Sequence, residues 1–411
     1  MAVGEYNGAP PRIMHVDLNS CFASIEQQSR PLLRGRPVVI VNRATEHTGI
    51  VTASYEAKAR GIEALMKLRD ARKLVPDVVA IESDPAKYRF VYKKLLAIME
   101  DYSAHVTMKS IDEGIIDFHQ APAAIIERGL IDIGYEIKQR LYDEVGTAMR
   151  CNIGISTNRF LAKTAAALHK PDGLDVITAD TIREVFSALK LRDLTGIAYR
   201  NEARLNTVGI YTPLQFLDAD ERVLREMVFK GINGTYWHRR LRGFEVDDRL
   251  SEIGRVGRQY VLERFDLSYE DILRRLHHLC ESVGWRMRKQ GLVARGVYVY
   301  AKAESGYWHA CQVYPTPIFS NKSIYEVAKE LFQHAPGGIR EIGMHCYKLQ
   351  KGEAIQQLGL FADELNRERA LVRTADEVNE RYGERTIIAA DTINTGMYIS
   401  QKIPFGSTRY L

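Results

Sequence analysis

Three acidic residues in two distant parts of the chain could carry out chemistry together. Asp17 ends a run predicted to be a strand, residues 13–17, and Asp112 and Glu113 lie at or near the tip of a predicted β-hairpin, residues 105–118. Carboxylates that converge at strand ends supply the oxygen ligands that Mg²⁺ prefers, and Mg²⁺ keeps part of its coordination shell for phosphates. Two such ions about 4 Å apart can activate a hydroxyl nucleophile and stabilise a leaving pyrophosphate. An Asp-Glu pair is equally ordinary in a turn, so composition alone favours the simpler interpretation.

The elements that would have to position these acids alternate between strands and helices. The patterns predict a helix at 22–30, strands at 37–41 and 50–53, and a helix that begins at residue 55. A long amphipathic helix at 123–145 follows the hairpin, and then a strand at 151–156 and a helix at 158–168, which ends before Lys-Pro-Asp-Gly.

Residues 180–248 are predicted to form short helices. A hydrophobic–Gly–hydrophobic turn around Gly196 lies between two of them. Helix–hairpin–helix turns of this kind present backbone N–H groups to a phosphate backbone. Many ordinary helix pairs also turn on glycine, so the pattern leaves both interpretations open.

The segment at about 256–348 shows the order β-α-β-β-α-β. Ser268 and Asp271 form a capping box at the start of its first helix, which carries an apolar stripe. This order is the split βαβ pattern, and it predicts an independent domain with one bare sheet face. Residues 249–302 hold 11 Lys and Arg against 6 Asp and Glu, a surplus equal to the +5 of the whole chain. Such a concentration, with aromatic residues interleaved, favours a nucleic-acid surface over a merely solvated face.

Length and composition restrict the class of protein. A chain of 411 residues predicts two to four domains, and 45% hydrophobic with 27% charged residues is typical of a globular protein and excludes a disordered or collagen-like chain. The five cysteines contain no C-x-x-C pair, so neither a disulfide framework nor a zinc knuckle is expected. The sequence also lacks an apolar leader and a run of membrane-spanning length, which predicts a cytoplasmic protein that does not bind a membrane.

Four motifs resemble those of the Y-family translesion DNA polymerases, and their sequences are most similar to the UmuC-like branch. They are HVDLNSCFASIEQ at 15–27, VTASYEAKARGI at 51–62, KSIDEGIIDF at 109–118 and NIGISTNRFLAKTAAALHKPDGL at 152–174. The resemblance covers about residues 12–361 in the family's order and spacing. Because four motifs agree in order, chance agreement is excluded as an explanation.

The resemblance implies a role for each matching residue. Asp17, Asp112 and Glu113 would be catalytic and would hold two Mg²⁺ ions, with the Leu18 carbonyl as a further ligand. Phe22 would be the steric gate that leaves no room for a ribose 2′-hydroxyl; a core phenylalanine would suit the same position. The residues that would bind the incoming nucleotide are Cys21, Phe22, Thr52, Tyr55, Lys58 and Lys170.

At three positions the sequence differs from the residue that is most common in the family. Asn19 stands where DinB-like members have a second Asp, although UmuC-like members also carry Asn. Lys58 replaces a frequent Arg, which keeps the charge but loses the bidentate fork. Ala198 stands where the helical hairpin often has glycine, which weakens the expected phosphate contact.

The resemblance also implies an α+β, multidomain, right-hand architecture. It comprises a ferredoxin-like palm (1–21 and 84–177), small fingers (22–83), a helical thumb with a helix–hairpin–helix (178–246) and a split-βαβ little finger (254–350). The expected DNA contacts are Gly196, Arg255, Arg258 and Arg295. The tail (351–411) contains a pentapeptide similar to the bacterial clamp-binding motif and a predicted amphipathic helix at 364–381, for which the sequence suggests no mechanism. Four residues of the pentapeptide are the expected clamp contacts, namely Gln357, Leu358, Leu360 and Phe361.

The resemblance therefore predicts a low-fidelity DNA-directed DNA polymerase that performs translesion synthesis by two-metal-ion deoxynucleotidyl transfer during DNA repair and the SOS response. Its expected partners are primer-template DNA, deoxynucleoside triphosphates and the bacterial β sliding clamp, and a UmuD-like accessory subunit stays open. One alternative is a catalytically silent accessory protein on the same scaffold that binds the clamp and DNA. Such a protein would be recognised by the loss of the three acids. Another is a different palm-type enzyme such as a nucleotide cyclase, which would lack the little finger and the clamp peptide.

Overall fold

The computed structural model describes residues 6–248, 253–264, 266–352, 362–396 and 399. These residues form two compact units that divide near residue 249. Across the described ranges, we find no helix with the length and apolar character needed to cross a membrane.

The strands and helices of the described residues include those that the sequence patterns predict, with one exception. The strands are β1 Ile13–Leu18, β2 Val38–Val41, β3 Ile50–Ala53, β4 Val79–Glu82, β5 Val106–Met108, β6 Glu113–Asp117, β7 Cys151–Ser156, β8 Leu174–Val176, β9 Arg255–Val261, β10 Leu292–Ala303, β11 Gly306–Ile318 and β12 Ile339–Lys351. The helices are α1 Cys21–Ser29, α2 Tyr55–Ala59, α3 Leu68–Leu74, α4 Pro85–Glu100, α5 Ala123–Ile126, α6 Leu130–Glu144, α7 Arg159–Leu168, α8 Ile182–Ala188, α9 Tyr199–Asn206, α10 Pro213–Asp218, α11 Glu221–Val223, α12 Asn233–Leu241, α13 Tyr269–Lys289, α14 Asn321–Phe332 and α15 Ala362–Tyr382.

The first unit is built on a five-stranded sheet with the order β5-β6-β1-β7-β8. The short strand β1 lies at its centre and pairs antiparallel with both β6 and β7. Apolar side chains of α4 and α6, among them Leu95 and Ile137, form the core on one face. Helix α7 packs very closely on the other face. A Cβ at Gly154 of β7 would lie only 2.0 Å from the carbonyl oxygen of Ala162, so glycine is required at this position. The sheet is therefore buried on both faces, and only its strand ends are left for function.

Two smaller groups of elements complete the first unit. A three-stranded sheet with the order β3-β2-β4 shares its own apolar core with α2 and α3. The short helices from α8 to α12 pack around Phe216 and Trp237, together with α7. The core of these helices is thus continuous with the helix that covers the large sheet.

The second unit is a four-stranded antiparallel sheet with the order β11-β10-β12-β9, and its elements follow the predicted β-α-β-β-α-β sequence. Ser268 caps α13 as predicted, since its hydroxyl accepts the N–H of Asp271. Helices α13 and α14 cover one sheet face. Beyond β12, the tail contributes α15 and a 3₁₀ helix, Ala390–Thr395, which belong to this same unit.

One element differs from the sequence prediction. The single helix expected at 123–145 is two helices, α5 and α6, and the break falls at Gly129. Gly129 adopts a φ of +83°, a left-handed conformation that a helix interior does not allow. The amphipathic pattern continued across the break because both helices bury apolar residues against the same core.

Candidate active site

The end of β1 brings the three predicted acids together. Asp17 lies opposite Glu113 of β6 in the antiparallel register, and the N–H of Leu18 donates to the carbonyl of Asp112 at 2.8 Å. The sheet order therefore joins two segments that are 95 positions apart in the chain. This is the convergence that the strand placement predicted.

The carboxylate of Glu113 is held by two neighbours that the sequence analysis did not single out. The Nζ of Lys163 on α7 donates to its Oε2 at 2.6 Å, and His15 Nε2 lies 3.1 Å from the same oxygen. Burial alone would raise the pKa of Glu113, but the hydrogen bonds from His15 and Lys163 outweigh it and lower the pKa to about 2. In the sequence, Lys163 is the one lysine among the small residues of α7, and this is the pattern that could have identified it.

Asp112 shows the opposite shift. Burial raises the pKa of its carboxyl, the Ser110 hydroxyl opposes this by donating a hydrogen bond, and the negative charges of Asp17 and Glu113 raise the pKa further. Three crowded carboxylates of this kind form an electronegative site whose charge a cation would neutralise.

A group of cations lies on the other side of Asp17. The Nζ of Lys170 bonds to the Asp17 carboxylate, and the Nζ of Lys58 donates to Ser20 Oγ at 2.8 Å. Lys58 Nζ also lies 4.7 Å from the ring centroid of Tyr55. Burial lowers the pKa of Lys58, and the charge of Lys170 lowers it further. Burial and the Asp17 charge raise the pKa of Tyr55.

The loop that carries Lys170 is fixed by Asn19. The Asn19 Nδ2 donates to Asn152 Oδ1 at 2.7 Å, and its Oδ1 accepts the N–H of Asp172 at 2.8 Å. Asn152 in turn donates to the carbonyl of His169 at 3.0 Å. Asn19 and Asn152 are both almost fully buried, so this amide pair connects the end of β1 rigidly to residues 169–172.

The other predicted nucleotide-binding residues lie on α1 and β3. Phe22 is 8% exposed and stacks on Tyr88, with ring centroids 4.3 Å apart and an angle of 12° between the planes. Cys21 is buried beside the acids, and burial, followed by the charges of Asp112 and Asp17, raises the pKa of its thiol. Its thiol is therefore protonated and unreactive at neutral pH. Thr52 is half-buried on β3 opposite Ile40, and its nucleotide contact stays a prediction.

The donor set at the strand ends suits a hard cation. The acids and the backbone carbonyl of Leu18 are all oxygen donors, as Mg²⁺ requires. Within the part of the chain that the structure describes, however, no three acidic, His or Cys side chains are already arranged as a metal cluster. Lys170 and Lys163 form ion pairs with the Asp17 and Glu113 carboxylates.

The predicted DNA contacts occupy different environments. Gly196 turns between the 3₁₀ helix Leu191–Asp193 and α9 with a φ of +94°, and Arg255 is exposed on the uncovered face of the second unit's sheet. Arg295 lies at the bulge of β10 and donates to the carbonyl of Tyr314 at 3.0 Å.

Arg258 points to the helix-covered face of the sheet, unlike Arg255, and its DNA contact stays a prediction. There it donates to Ser282 of α13, and burial lowers its pKa to about 10, with a further decrease from the charge of Arg286. The strand alternation that exposes Arg255 therefore buries Arg258. The predicted clamp residues Gln357, Leu358, Leu360 and Phe361 lie outside the described residues.

Comparisons with known proteins agree with this arrangement. The impB/mucB/samB family matches residues 16–167, and the C-terminal domain of the same family matches residues 255–360. Proteins named DNA polymerase IV from Moorella thermoacetica and Pelotomaculum thermopropionicum are 34% and 31% identical, over 91% and 92% of this chain and 94% of each relative. A solved Y-family DNA polymerase chimera of Dbh and Dpo4 shares the fold with a TM-score of 0.70 and 21% identity, over 82% of this chain and 98% of the chimera. The UmuC-like branch stays a prediction. The chain belongs to the Y family of DNA-directed DNA polymerases.

Proposed function

We propose that this protein extends a DNA primer by two-metal-ion deoxynucleotidyl transfer and that it does so across damaged template bases. The observation that carries the proposal is the convergence of Asp17, Asp112 and Glu113 beside the ammonium groups of Lys58 and Lys170. Acids that can hold cations next to a cluster of phosphate-binding cations are what phosphoryl transfer requires.

Asp17, Asp112, Glu113 and the Leu18 carbonyl would hold the metal ions. When bound, two Mg²⁺ ions activate the primer hydroxyl and neutralise charge on the leaving pyrophosphate. His15 and Lys163 fix the orientation of the Glu113 carboxylate through the bonds of 3.1 and 2.6 Å.

The nucleotide would be bound by the cations on the opposite side of Asp17. Lys170 exchanges its carboxylate partner for phosphoryl oxygens, and Lys58 and Tyr55 contact the triphosphate from α2. Because Asn19 fixes the loop of Lys170, the ammonium is already positioned before the nucleotide arrives. Charge neutralisation by such groups is usually the largest protein contribution to a transfer of this kind.

Sugar selection would fall to Phe22, whose nearly buried ring is supported by stacking on buried Tyr88. A rigid ring below the sugar excludes the 2′-hydroxyl by volume. Cys21 and Thr52 would complete the nucleotide pocket.

The remaining parts of the molecule take the roles that the family architecture suggests. The five-stranded sheet is the palm, the sheet β3-β2-β4 belongs to the fingers, the short helices α8–α12 form the thumb, and the second unit contains the little finger. Gly196, Arg255 and Arg295 would contact DNA. The pentapeptide at 357–361 would bind the β sliding clamp, and a UmuD-like subunit would be an accessory partner.

Primer extension in the presence of Mg²⁺, on undamaged and abasic templates, tests the proposal. We expect Asp112→Asn to lower the rate of extension on both templates by at least about 100-fold, because one of the converging charges is lost. The matched control is Asp180→Asn, which changes an exposed acid of the same unit and should leave the rate unchanged. Undiminished extension by the Asp112 variant would contradict the catalytic assignment, and a wild type that binds DNA without extending it would identify a silent accessory protein. Extension on the undamaged template alone would contradict the translesion role.

A further inference from the structure

Lys138 of α6 places its ammonium group inside the loop formed by residues 169–173. Its Nζ donates to the carbonyl of Asp172 at 2.6 Å and to that of Gly173 at 3.3 Å, and it lies 2.6 Å from the Asp172 carboxylate. It also donates to the carbonyl of Cys151 in β7 at 2.9 Å. Four oxygen atoms thus surround an ammonium that carries three protons, so every N–H of this group has an acceptor. The Lys138 side chain is only 14% exposed.

The packing of α6 explains how Lys138 reaches this loop. Gly134 lies one helical turn before Lys138, and a Cβ there would lie 2.6 Å from the Leu174 side chain. The small residue at 134 therefore lets α6 approach β8, which begins at Leu174. Residues one turn apart lie on the same helix face, so Lys138 extends over the residues that directly precede β8.

Asp172 is the residue of the loop that is restrained most strongly. Its φ is +62°, a left-handed conformation that is uncommon outside glycine. Its N–H donates to Asn19 at 2.8 Å, and its carbonyl accepts from Lys138. Its carboxylate is shared between Lys138 and Arg150, whose Nε lies at 3.3 Å. Residues in sparsely populated conformations persist where their surroundings fix them from several sides, and they cluster at active sites.

This restraint acts two positions from Lys170, whose ammonium bonds to the Asp17 carboxylate at the candidate active site. Asn19 holds the loop through one backbone N–H, whereas Lys138 holds two carbonyls and a carboxylate. Without the Lys138 ammonium, these oxygens would lose a charge-assisted hydrogen-bond donor, and the loop could shift away from Asp17. A displacement of about 1 Å in a substrate-positioning group can cost about 100-fold in rate.

We propose that Lys138 is a positioning residue for nucleotide binding, because its ammonium fixes the 169–173 loop in the place where Lys170 meets the triphosphate. This rests on the proposed function, since it deepens the role that Lys170 takes there. The partners of Lys138 are oxygens of the loop and of β7, so its effect on the reaction passes through Lys170.

A lysine that only stabilised the fold would behave differently in kinetics. It would change the fraction of active enzyme, which lowers kcat and leaves the KM of the remaining molecules unchanged. A positioning role changes KM for the nucleotide in every molecule, because the triphosphate meets a displaced ammonium.

Steady-state primer extension with Mg²⁺ on an undamaged template separates the two roles. We expect Lys138→Met to raise KM for the nucleotide by about 5- to 50-fold and to lower kcat by less. Lys138→Gln keeps a polar group but is too short to reach all four oxygens. It should shift KM in the same direction, and it supplies the test if the Met variant does not fold. The matched control is Lys94→Met, which removes an exposed lysine of α4 and should leave both constants unchanged.

A double variant tests whether Lys138 acts through Lys170. Lys170→Met alone should raise KM at least as much as Lys138→Met, because it removes the ammonium itself. Adding Lys138→Met to Lys170→Met should then raise KM by less than about 2-fold further, since the loop no longer carries the group to be positioned.

Three results would overturn the proposal. They are a KM in the Lys138 variants equal to that of the Lys94 control, a loss of kcat with unchanged KM, and increases in KM that multiply in the double variant. In each case the wild type still extends the primer, so the proposed function stands. A wild type that does not extend the primer would contradict the proposed function instead.

Discussion

Replacing Asn19 by Asp tests how the structure positions the nucleotide-binding lysine. The wild-type amide pair makes three buried or partly buried hydrogen bonds: Asn19 to Asn152 at 2.7 Å, Asp172 N–H to Asn19 at 2.8 Å, and Asn152 to the His169 carbonyl at 3.0 Å. A carboxylate at position 19 can only accept. If Asn152 keeps its orientation, two acceptors face each other, and if its amide flips, the His169 carbonyl loses its donor.

One buried polar group therefore stays without a partner in either orientation. This costs about 1–3 kcal/mol, and the new charge is buried two positions from Asp17, which adds to the cost. We expect the free energy of unfolding of the first unit to fall by about 2–3 kcal/mol, or about 2–4 °C in Tm per kcal/mol for a unit of this size. We also expect KM for the nucleotide to rise more than kcat falls, because the loop that carries Lys170 is loosened.

Urea unfolding and steady-state primer extension measure the two effects. Asn233→Asp is the control, since it makes the same chemical change at an exposed helix start. If the Asn19 variant matched this control in both stability and KM, the role of the amide pair in fixing the 169–172 loop would be refuted.

Three further substitutions have direct expectations. Lys163→Met should raise the pKa of Glu113 above about 2, because one hydrogen bond and one positive charge are removed. A ¹³C titration of the Glu113 carboxyl in metal-free buffer would detect the change. An unchanged pKa would contradict the role of Lys163 in lowering it. Gly154→Ala should destabilise the first unit by about 3 kcal/mol in urea unfolding, because its Cβ meets the backbone of α7 at 2.0 Å, whereas Gly8→Ala, with no atom near, should be neutral. The pKa of His278 is lowered to about 3 by burial and by Arg385, Arg258 and His277, so below pH 6.5 the unfolded chain binds a proton that the folded chain does not. The free energy of unfolding should then fall by up to about 1.4 kcal/mol per pH unit between pH 6.5 and 3, and His278→Asn, which keeps a donor for Thr395, should remove this slope in urea titrations; a slope that persisted would point to another group.

The sequence predicted the site well where strand ends determine side-chain positions. Asp17 and the acids at 112–113 could be placed together because the hairpin and the central strand were both recognisable, and register then puts Asp17 opposite Glu113. The second unit was predicted for the same reason, since alternation and capping residues define its elements locally.

The failures occurred where contacts come from elements that are distant in sequence. Lys163 reaches Glu113 across the close packing of α7 on the sheet, which depends on Gly154 and on the small side chains of the helix. Arg258 was predicted as a DNA contact from its charge, and the sequence prediction did not include which face of the sheet it lies on. A register that places Arg255 and Gln259 on the open face necessarily buries Arg258 between them.

Contacts between the tail and α13 determine how clamp binding can be tested. Arg385 bonds to Glu281 of α13 at 2.8 Å, the N–H of Ala389 donates to the same carboxylate at 2.8 Å, and Arg288 bonds to Asp376 of α15. Residues 362–396 are therefore part of the second unit, and removing them would leave Glu281 and Arg288 without these partners. Truncation before residue 362 consequently cannot distinguish clamp binding from folding. Substitution of Leu360 and Phe361 in the full chain can, because it keeps the ion pairs of the tail and alters only the anchors expected to enter the clamp.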